Sequence, residues 1–343
     1  MRRFEHGGDI YSHTDISDFS ANLNPLGMPQ VVRDTLRNSI EAFEAYPDTQ
    51  SRELTQAIAR AEGLRASQVL CTAGASDLFE RIAQVACAKK ALVASPCYSG
   101  YEQALEKSGT QIIRHLLDDD EDYALTRAFL TLMTEGVSLV FIANPNNPTG
   151  LTVDDDLIEE ILERAQRIGA RVVLDESFID FTDAKSFVAQ VEQYPQLIVA
   201  KSYTKIYAIA GLRLGFGACS DEEFMHALRE AGQPWAVSTP AQLAGVAALS
   251  DAEYVDASRE FVRSARAGLK GELEAMGLRV IDGKANYLMF QCPDELYGPM
   301  LKRGLLIRSC GNYDGLDNTW YRVAVRTPKE NARLIAALKE ECL

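Results

Sequence analysis

Between residues 69 and 219 of this 343-residue chain, short apolar runs alternate with longer stretches in which apolar residues recur at helical spacing. The runs are VLCTAG, ALVASP, QIIRHL, SLVFIAN, RVVLDES, LIVAKSY and LGFGAC. Runs this short and this apolar predict strands buried on both faces, and helical patterns between them predict crossover connections. The expected architecture is therefore an α/β fold around a mostly parallel sheet, with functional residues at the C-terminal ends of its strands. From about residue 240 the pattern changes to long helical stretches, then apolar segments at RVIDG, NYLMFQC, LLIRSC and YRVAVR, and a closing helix. That order predicts a smaller α+β unit. No internal repeat or low-complexity linker interrupts the chain.

Several strand ends carry chemistry. LIVA leads into Ser202-Tyr203-Thr204-Lys205, and Arg213 follows eight residues after the lysine in SYTKIYAIAGLRLG. A lysine on a short loop at the edge of a buried sheet loses hydration; burial disfavours the ammonium form and frees an amine to attack a carbonyl. Arg213 is a candidate phosphate clamp. In RVVLDESFIDF an apolar run ends in Asp175 and Glu176, which delivers a carboxylate at a strand terminus, although a helix N-cap would use aspartate in the same way. SLVFIANPNNPTG runs into a tight turn whose Asn144, Asn146 and Asn147 amides offer hydrogen bonds. CTAGASDLFERIAQVA reads as a strand turning into a helix at Gly74-Ala75-Ser76, where free N–H groups and the positive dipole end favour an anion.

In the order NPNNPTG, DES, SYTK and Arg213, with 30 residues separating Asp175 from Lys205, these segments resemble the fold-type-I pyridoxal phosphate enzymes of the aspartate aminotransferase superfamily. The resemblance extends over nearly the whole chain. It implies a pyridoxal 5'-phosphate cofactor carried on Lys205, with its ring nitrogen on Asp175 and its ring oxygen near Asn147. It further implies that the phosphate is held by Ser202, Arg213 and the Gly74-Ala75-Ser76 turn. Tyr98, in SPCYSGY, matches an aromatic that stacks on the ring, and Tyr46, in EAYPD, matches a tyrosine that reaches the neighbouring subunit's phosphate. The superfamily architecture implies an N-terminal arm over residues 1–30, a large cofactor-binding domain over 31–240 and a small domain over 241–343. It also implies a homodimer with its site at the subunit interface.

Composition limits the partners. A formal net charge of −14 argues against general nucleic-acid or anionic-membrane binding, so anionic substrates must be caught by local arginines. No apolar stretch reaches the roughly 20 residues a membrane span needs. The polar N-terminus MRRFEHGGDIYSHTD lacks an apolar leader core, which predicts a cytoplasmic protein. The seven cysteines stand at 71, 87, 97, 219, 292, 310 and 342 with no C-x-x-C pair, a usage that predicts reduced thiols. The four histidines, at 6, 13, 115 and 226, lack ligand spacing, so no metal site is expected.

The termini point to a branch. HGG at 6–8, DFSANLNPLG and IRSCGNYDGL resemble the L-threonine O-3-phosphate decarboxylases of cobalamin synthesis, close relatives of the histidinol-phosphate aminotransferases. Carried over by position, His6, Gly7, Asn22, Asn147, Arg308 and Arg322 would contact a phosphorylated amino-acid substrate. A carboxylate and a phosphate call for two cationic forks, and two arginines 14 residues apart on adjacent strands meet that demand. After Asp175-Glu176 the aminotransferases usually continue Ala-Tyr, whereas this chain has Ser177-Phe178 and loses the hydroxyl near the ring oxygen. Against that, Ala75-Ser76-Asp77 departs from the usual wording of the decarboxylases' phosphate loop. The competing expectations are an aminotransferase for histidinol phosphate or another amino acid, and a cofactor-binding regulator without turnover. The last would need an attached DNA-binding module, for which an acidic chain of this length has no room.

Overall fold

The computed structural model describes residues 6–342; residues 1–5 of the expected N-terminal arm, and residue 343, lie outside them. Strand β1 (Ser17–Asp18) falls within the span expected as the arm. The large sheet is made of β2 (Val69–Thr72), β3 (Lys90–Ser95), β4 (Gln111–Leu116), β5 (Val137–Ala143), β6 (Arg171–Asp175), β7 (Leu197–Ser202) and β8 (Gly215–Ala218). Its order is β2-β8-β7-β6-β5-β3-β4, and β8 alone runs against the rest. The parallel register puts Ala143 beside Asp175 and Asp175 beside Ala200, so the ends of β5, β6 and β7 form one level rim.

Alternation along these strands explains the burial on both sides. Val140, Ile142, Val172, Leu174 and Val199 enter one core, while Leu139, Phe141, Val173, Ile198 and Ala200 enter the core on the opposite face. Strands β5, β6 and β7 are nearly continuous in apolar residues because neither face meets water, whereas β4, expected to be buried on both faces, lies at the sheet edge and is only half-buried, with Gln111 and Leu116 exposed. Helices Arg52–Glu62, Ala75–Ala86, Gly100–Lys107 and Asp155–Ile168 occupy the crossovers or cover the faces.

The C-terminal segments form a second sheet from β9 (Arg279–Val280), β10 (Tyr287–Gln291), β12 (Arg308–Ser309) and β13 (Trp320–Ala324), in the order β12-β13-β10-β9. The long helix Ala252–Ala275 and the closing helix Pro328–Glu341 pack on it through Leu269, Leu273, Leu334 and Leu338. The LLIRSC segment, expected as one strand, is split. Strand β11 (Leu305–Leu306) pairs in parallel with β1, and β12 pairs antiparallel with β13. The split directs Arg308 to a different sheet from Leu305 and ties the arm to the C-terminal part of the chain. Likewise RVIDG supplies only the two residues of β9 before Asp282 turns the chain. No helix among the described residues is long and apolar enough to cross a membrane.

Candidate active site

The rim formed by β5, β6 and β7 opens into a cleft of about 240 Å³, closed on its far side by the arm and by the β12–β13 edge. Each strand end contributes one candidate residue: Asn147 beyond β5, Asp175 closing β6, and Lys205 just beyond β7. Lys205 lies in a single helical turn, Tyr203–Ile206, rather than in the expected loop, and β7 is an interior strand rather than an edge one. The turn buries the lysine stem and aims Nζ into the cleft, where it donates to Ser202 Oγ at 2.9 Å. Burial lowers its pKa to about 8; Asp175 opposes that shift and Arg213 adds to it. An amine in this setting is partly neutral near physiological pH.

Asp175 is buried with both oxygens engaged. Tyr101 donates its hydroxyl to Oδ2 at 2.5 Å, and the Ser177 N–H reaches Oδ1 at 2.9 Å. The strand terminus explains the second contact, because the chain turns immediately after β6 and points its next amide back at the side chain.

At the other end of the cleft, Gly74 caps helix Ala75–Ala86 with φ +86°, a conformation suited to glycine. A β-carbon there would lie 2.9 Å from Arg213 Nη2, so the absent side chain is what lets the guanidinium rest on the helix start. Ser76 shares a hydrogen bond of 3.1 Å with the Tyr98 hydroxyl. Amide N–H groups, hydroxyls and a guanidinium converge here into a donor set suited to a phosphate.

The remaining wall belongs to the substrate candidates. Strand register sets Arg308 directly opposite Arg322. Both are buried, and both line the cleft. Arg322 donates through Nη2 to the Ser20 carbonyl at 2.7 Å and through Nη1 to Asn147 Oδ1, leaving the Asn147 NH₂ as its free donor group. Arg308 donates to Asn312 Oδ1 at 2.7 Å and sits over the Tyr313 ring. His6 lies 5.8 Å from the Tyr98 ring, centroid to centroid. Partial desolvation of this otherwise exposed ring, then the positive field of Arg308 and Arg322, lowers its pKa and favours the neutral imidazole. Gly7 passes so close to Ser20 that a β-carbon would meet its carbonyl oxygen at 2.4 Å. Asn22 is fixed through its backbone carbonyl, which accepts from Asn286 Nδ2 at 3.0 Å. Asn22 Oδ1 and Arg322 Nε are buried with no hydrogen-bond partner among the described residues, as expected of groups arranged for a polar ligand.

Most of the sequence candidates therefore meet in one place. Tyr46 does not: it is 80% exposed and stacks on Trp235 at 4.7 Å. Asn144 and Asn146 turn to structural tasks, Asn144 accepting from the Val153 N–H and Asn146 donating to the Pro96 carbonyl at 3.1 Å. Phe178 lines the cleft edge-on to Tyr287, whose hydroxyl donates to the Asn146 carbonyl and so does not replace the hydroxyl that Phe178 lacks. Tyr101, Ser20 and Tyr313 were missed. Tyr101 had a signal, since its three-residue spacing from Tyr98 at a helix start sets both on one side. Among the described residues no group of three acidic, histidine or cysteine side chains is arranged to hold a metal ion.

The family model for class I and II aminotransferases matches residues 14–338. The chain belongs to that family. It is 37% identical to the threonine-phosphate decarboxylase of Salmonella typhimurium, across 97% of this chain and 95% of the relative. Among solved structures, the histidinol-phosphate aminotransferase of Clostridium acetobutylicum superposes with a TM-score of 0.88 at 28% identity, covering 94% of this chain and 98% of that one. The Sinorhizobium meliloti histidinol-phosphate aminotransferase, solved with pyridoxal-5'-phosphate, superposes with a TM-score of 0.85 at 22% identity, covering 94% of this chain and 89% of that one. Family membership and these superpositions account for the architecture of this chain, a mostly parallel sheet with helices on its faces.

Proposed function

We propose that this chain binds pyridoxal 5'-phosphate and decarboxylates O-phospho-L-threonine, releasing carbon dioxide and (R)-1-aminopropan-2-yl phosphate during cobalamin synthesis. The observation that carries the substrate assignment is the register of β12 on β13, which sets two buried arginines side by side in the wall facing Lys205. Two guanidinium forks suit a small molecule bearing both a carboxylate and a phosphate. The 37% identity to a threonine-phosphate decarboxylase over almost the full chain supports the same reading.

Pyridoxal phosphate, when bound, supplies a carbonyl that joins the substrate amine and a ring that accepts the electrons of the breaking bond. The Gly74-Ala75-Ser76 turn, Ser202 and Arg213 would hold the phosphate, Tyr98 would pack against the ring, and Asn147 would donate to its oxygen. Asp175 would keep the ring nitrogen protonated. Lys205 would hold the cofactor through its amine and, once freed by the substrate amine, would carry the proton that the α-carbon takes up as carbon dioxide departs. His6, Gly7, Asn22, Asn147, Arg308 and Arg322 position the substrate. Tyr46, exposed in its own chain, serves the partner's phosphate in a cytoplasmic homodimer. In this reading the arm is residues 1–30, the cofactor-binding domain 31–240 and the small domain 241–343.

Aminotransfer from histidinol phosphate is the competing reading, favoured by the backbone likeness to that enzyme. Phe178 speaks against it through the hydroxyl it lacks. Discrimination between O-phospho-L-threonine and L-threonine tests the paired arginines: kcat/KM should favour the phosphorylated substrate on the order of a thousandfold or more, and Arg308→Ala should remove most of that preference. Equal turnover of the two would contradict the assignment.

A further inference from the structure

Asp175 carries a second neutral donor that the reaction itself does not call for. The Tyr101 ring is fully buried, stacked on Phe141 at 5.1 Å and met edge-on by Phe79 at 5.0 Å and Tyr98 at 5.6 Å. This packing fixes the hydroxyl on Asp175 Oδ2 at 2.5 Å, while the Ser177 amide occupies Oδ1. Resting on the cofactor assignment above, we propose that Tyr101 is a positioning residue that keeps the Asp175 carboxylate ionised and oriented, so that the shared proton stays on the cofactor's ring nitrogen.

The argument follows from proton affinity. A hydrogen bond donated to a carboxylate favours its charged form and makes it a weaker base. A bare buried carboxylate would instead draw the proton from a pyridinium and become a neutral acid. Burial, followed by the field of Asp175, pushes the Tyr101 hydroxyl well above its usual range, so it remains a neutral donor throughout the working pH range. The other titratable groups that feel Asp175 are Lys205, Tyr98 and Tyr287, and none of them is altered by the variants below. Tyr101→Phe retains the ring packing and removes only the donor.

The test loads the enzyme with pyridoxal phosphate carrying ¹⁵N at the ring nitrogen and follows that nitrogen's signal against pH. Tyr101→Phe should lower the midpoint at which the nitrogen loses its proton by about one unit. It should also lower kcat about tenfold with KM for the phosphorylated substrate unchanged, because the arginine wall is untouched. Replacing Tyr101 by 3-fluorotyrosine, a more acidic phenol of nearly the same shape, should raise the midpoint; this variant decides the matter if Tyr101→Phe does not fold. In an Asp175→Asn background, Tyr101→Phe should move nothing further. An unchanged midpoint in a loaded variant, or an equal shift with and without Asp175, overturns the proposal. A wild-type protein that takes up no labelled cofactor overturns the functional reading, and this proposal with it.

Discussion

Lys205 illustrates how a single side chain acquires reactivity from its surroundings. Its turn follows an interior strand, so water is excluded and the ammonium is disfavoured; the nearby Asp175 limits the shift, leaving a pKa of about 8. The folded value lies below the ordinary one, so the neutral amine gains population as pH rises through 8. The rate at which cofactor-free protein captures pyridoxal phosphate should therefore climb with a midpoint near pH 8, and Lys205→Ala should abolish the lysine-linked visible absorbance. A rate flat from pH 6 to 10 would contradict a desolvated nucleophile. Lys205, Asp175, Asn147 and Arg213 were all legible as residues because each ends an apolar run or stands at a fixed distance from one that does. Tyr101 was legible only in part: its spacing from Tyr98 was a signal for the side it faces, but which hydroxyl reaches Asp175 depends on the folded chain. The same holds for Asn144 and Asn146, which sequence placed beside Asn147 as equals and folding assigned to the turn itself.

At the scale of elements, the active site rests on a buried ionic layer beneath β6 and β7. Lys201, one residue before Ser202, points away from the cleft and pairs with Glu62 at 2.9 Å and Asp180 at 3.0 Å. Glu176, one residue beyond Asp175, accepts from the Phe187 N–H at 2.7 Å and from Ser186. Strand alternation explains the arrangement: residues that follow or precede cleft residues face the opposite side, and there the chain has placed compensated charge. Removing the buried cation leaves the half-buried Glu62 and Asp180, and the buried Glu176 beside them, without their counter-charge, so Lys201→Met should cost about 3 kcal/mol in equilibrium unfolding by denaturant. A loss below about 0.5 kcal/mol would show that the layer is not a support. The interior strands of the large sheet were legible because both faces are buried and the apolar signal is dense. The small sheet was less so. Its two-residue strands β11 and β12 follow one continuous apolar segment, and nothing local tells that β11 joins the arm while β12 joins β13.

For the whole molecule, the cleft draws on distant parts of the chain: the N-terminal segment supplies Gly7 and Asn22, the large sheet the proposed cofactor residues, and the C-terminal sheet the arginines. Arm and C-terminal part are joined by the β1–β11 pair and by the Arg322 bond to the Ser20 carbonyl, so the substrate wall and the arm hold one another in place. The proposed homodimer adds Tyr46 from the partner. Mixing Lys205→Ala chains with Tyr46→Phe chains should then restore activity above that of either variant alone, because one site of each hybrid is wild type. Activity no greater than the average of the two would contradict a shared site. The central claim concerns which bond is broken, and sustained release of carbon dioxide from O-phospho-L-threonine by the cofactor-loaded enzyme, with no 2-oxo acid present, tests it most directly. The account predicts stoichiometric release over many turnovers, with the cofactor returning each time to its lysine-linked form. No release, together with conversion of the cofactor to its pyridoxamine form by histidinol phosphate or another amino acid, would contradict it.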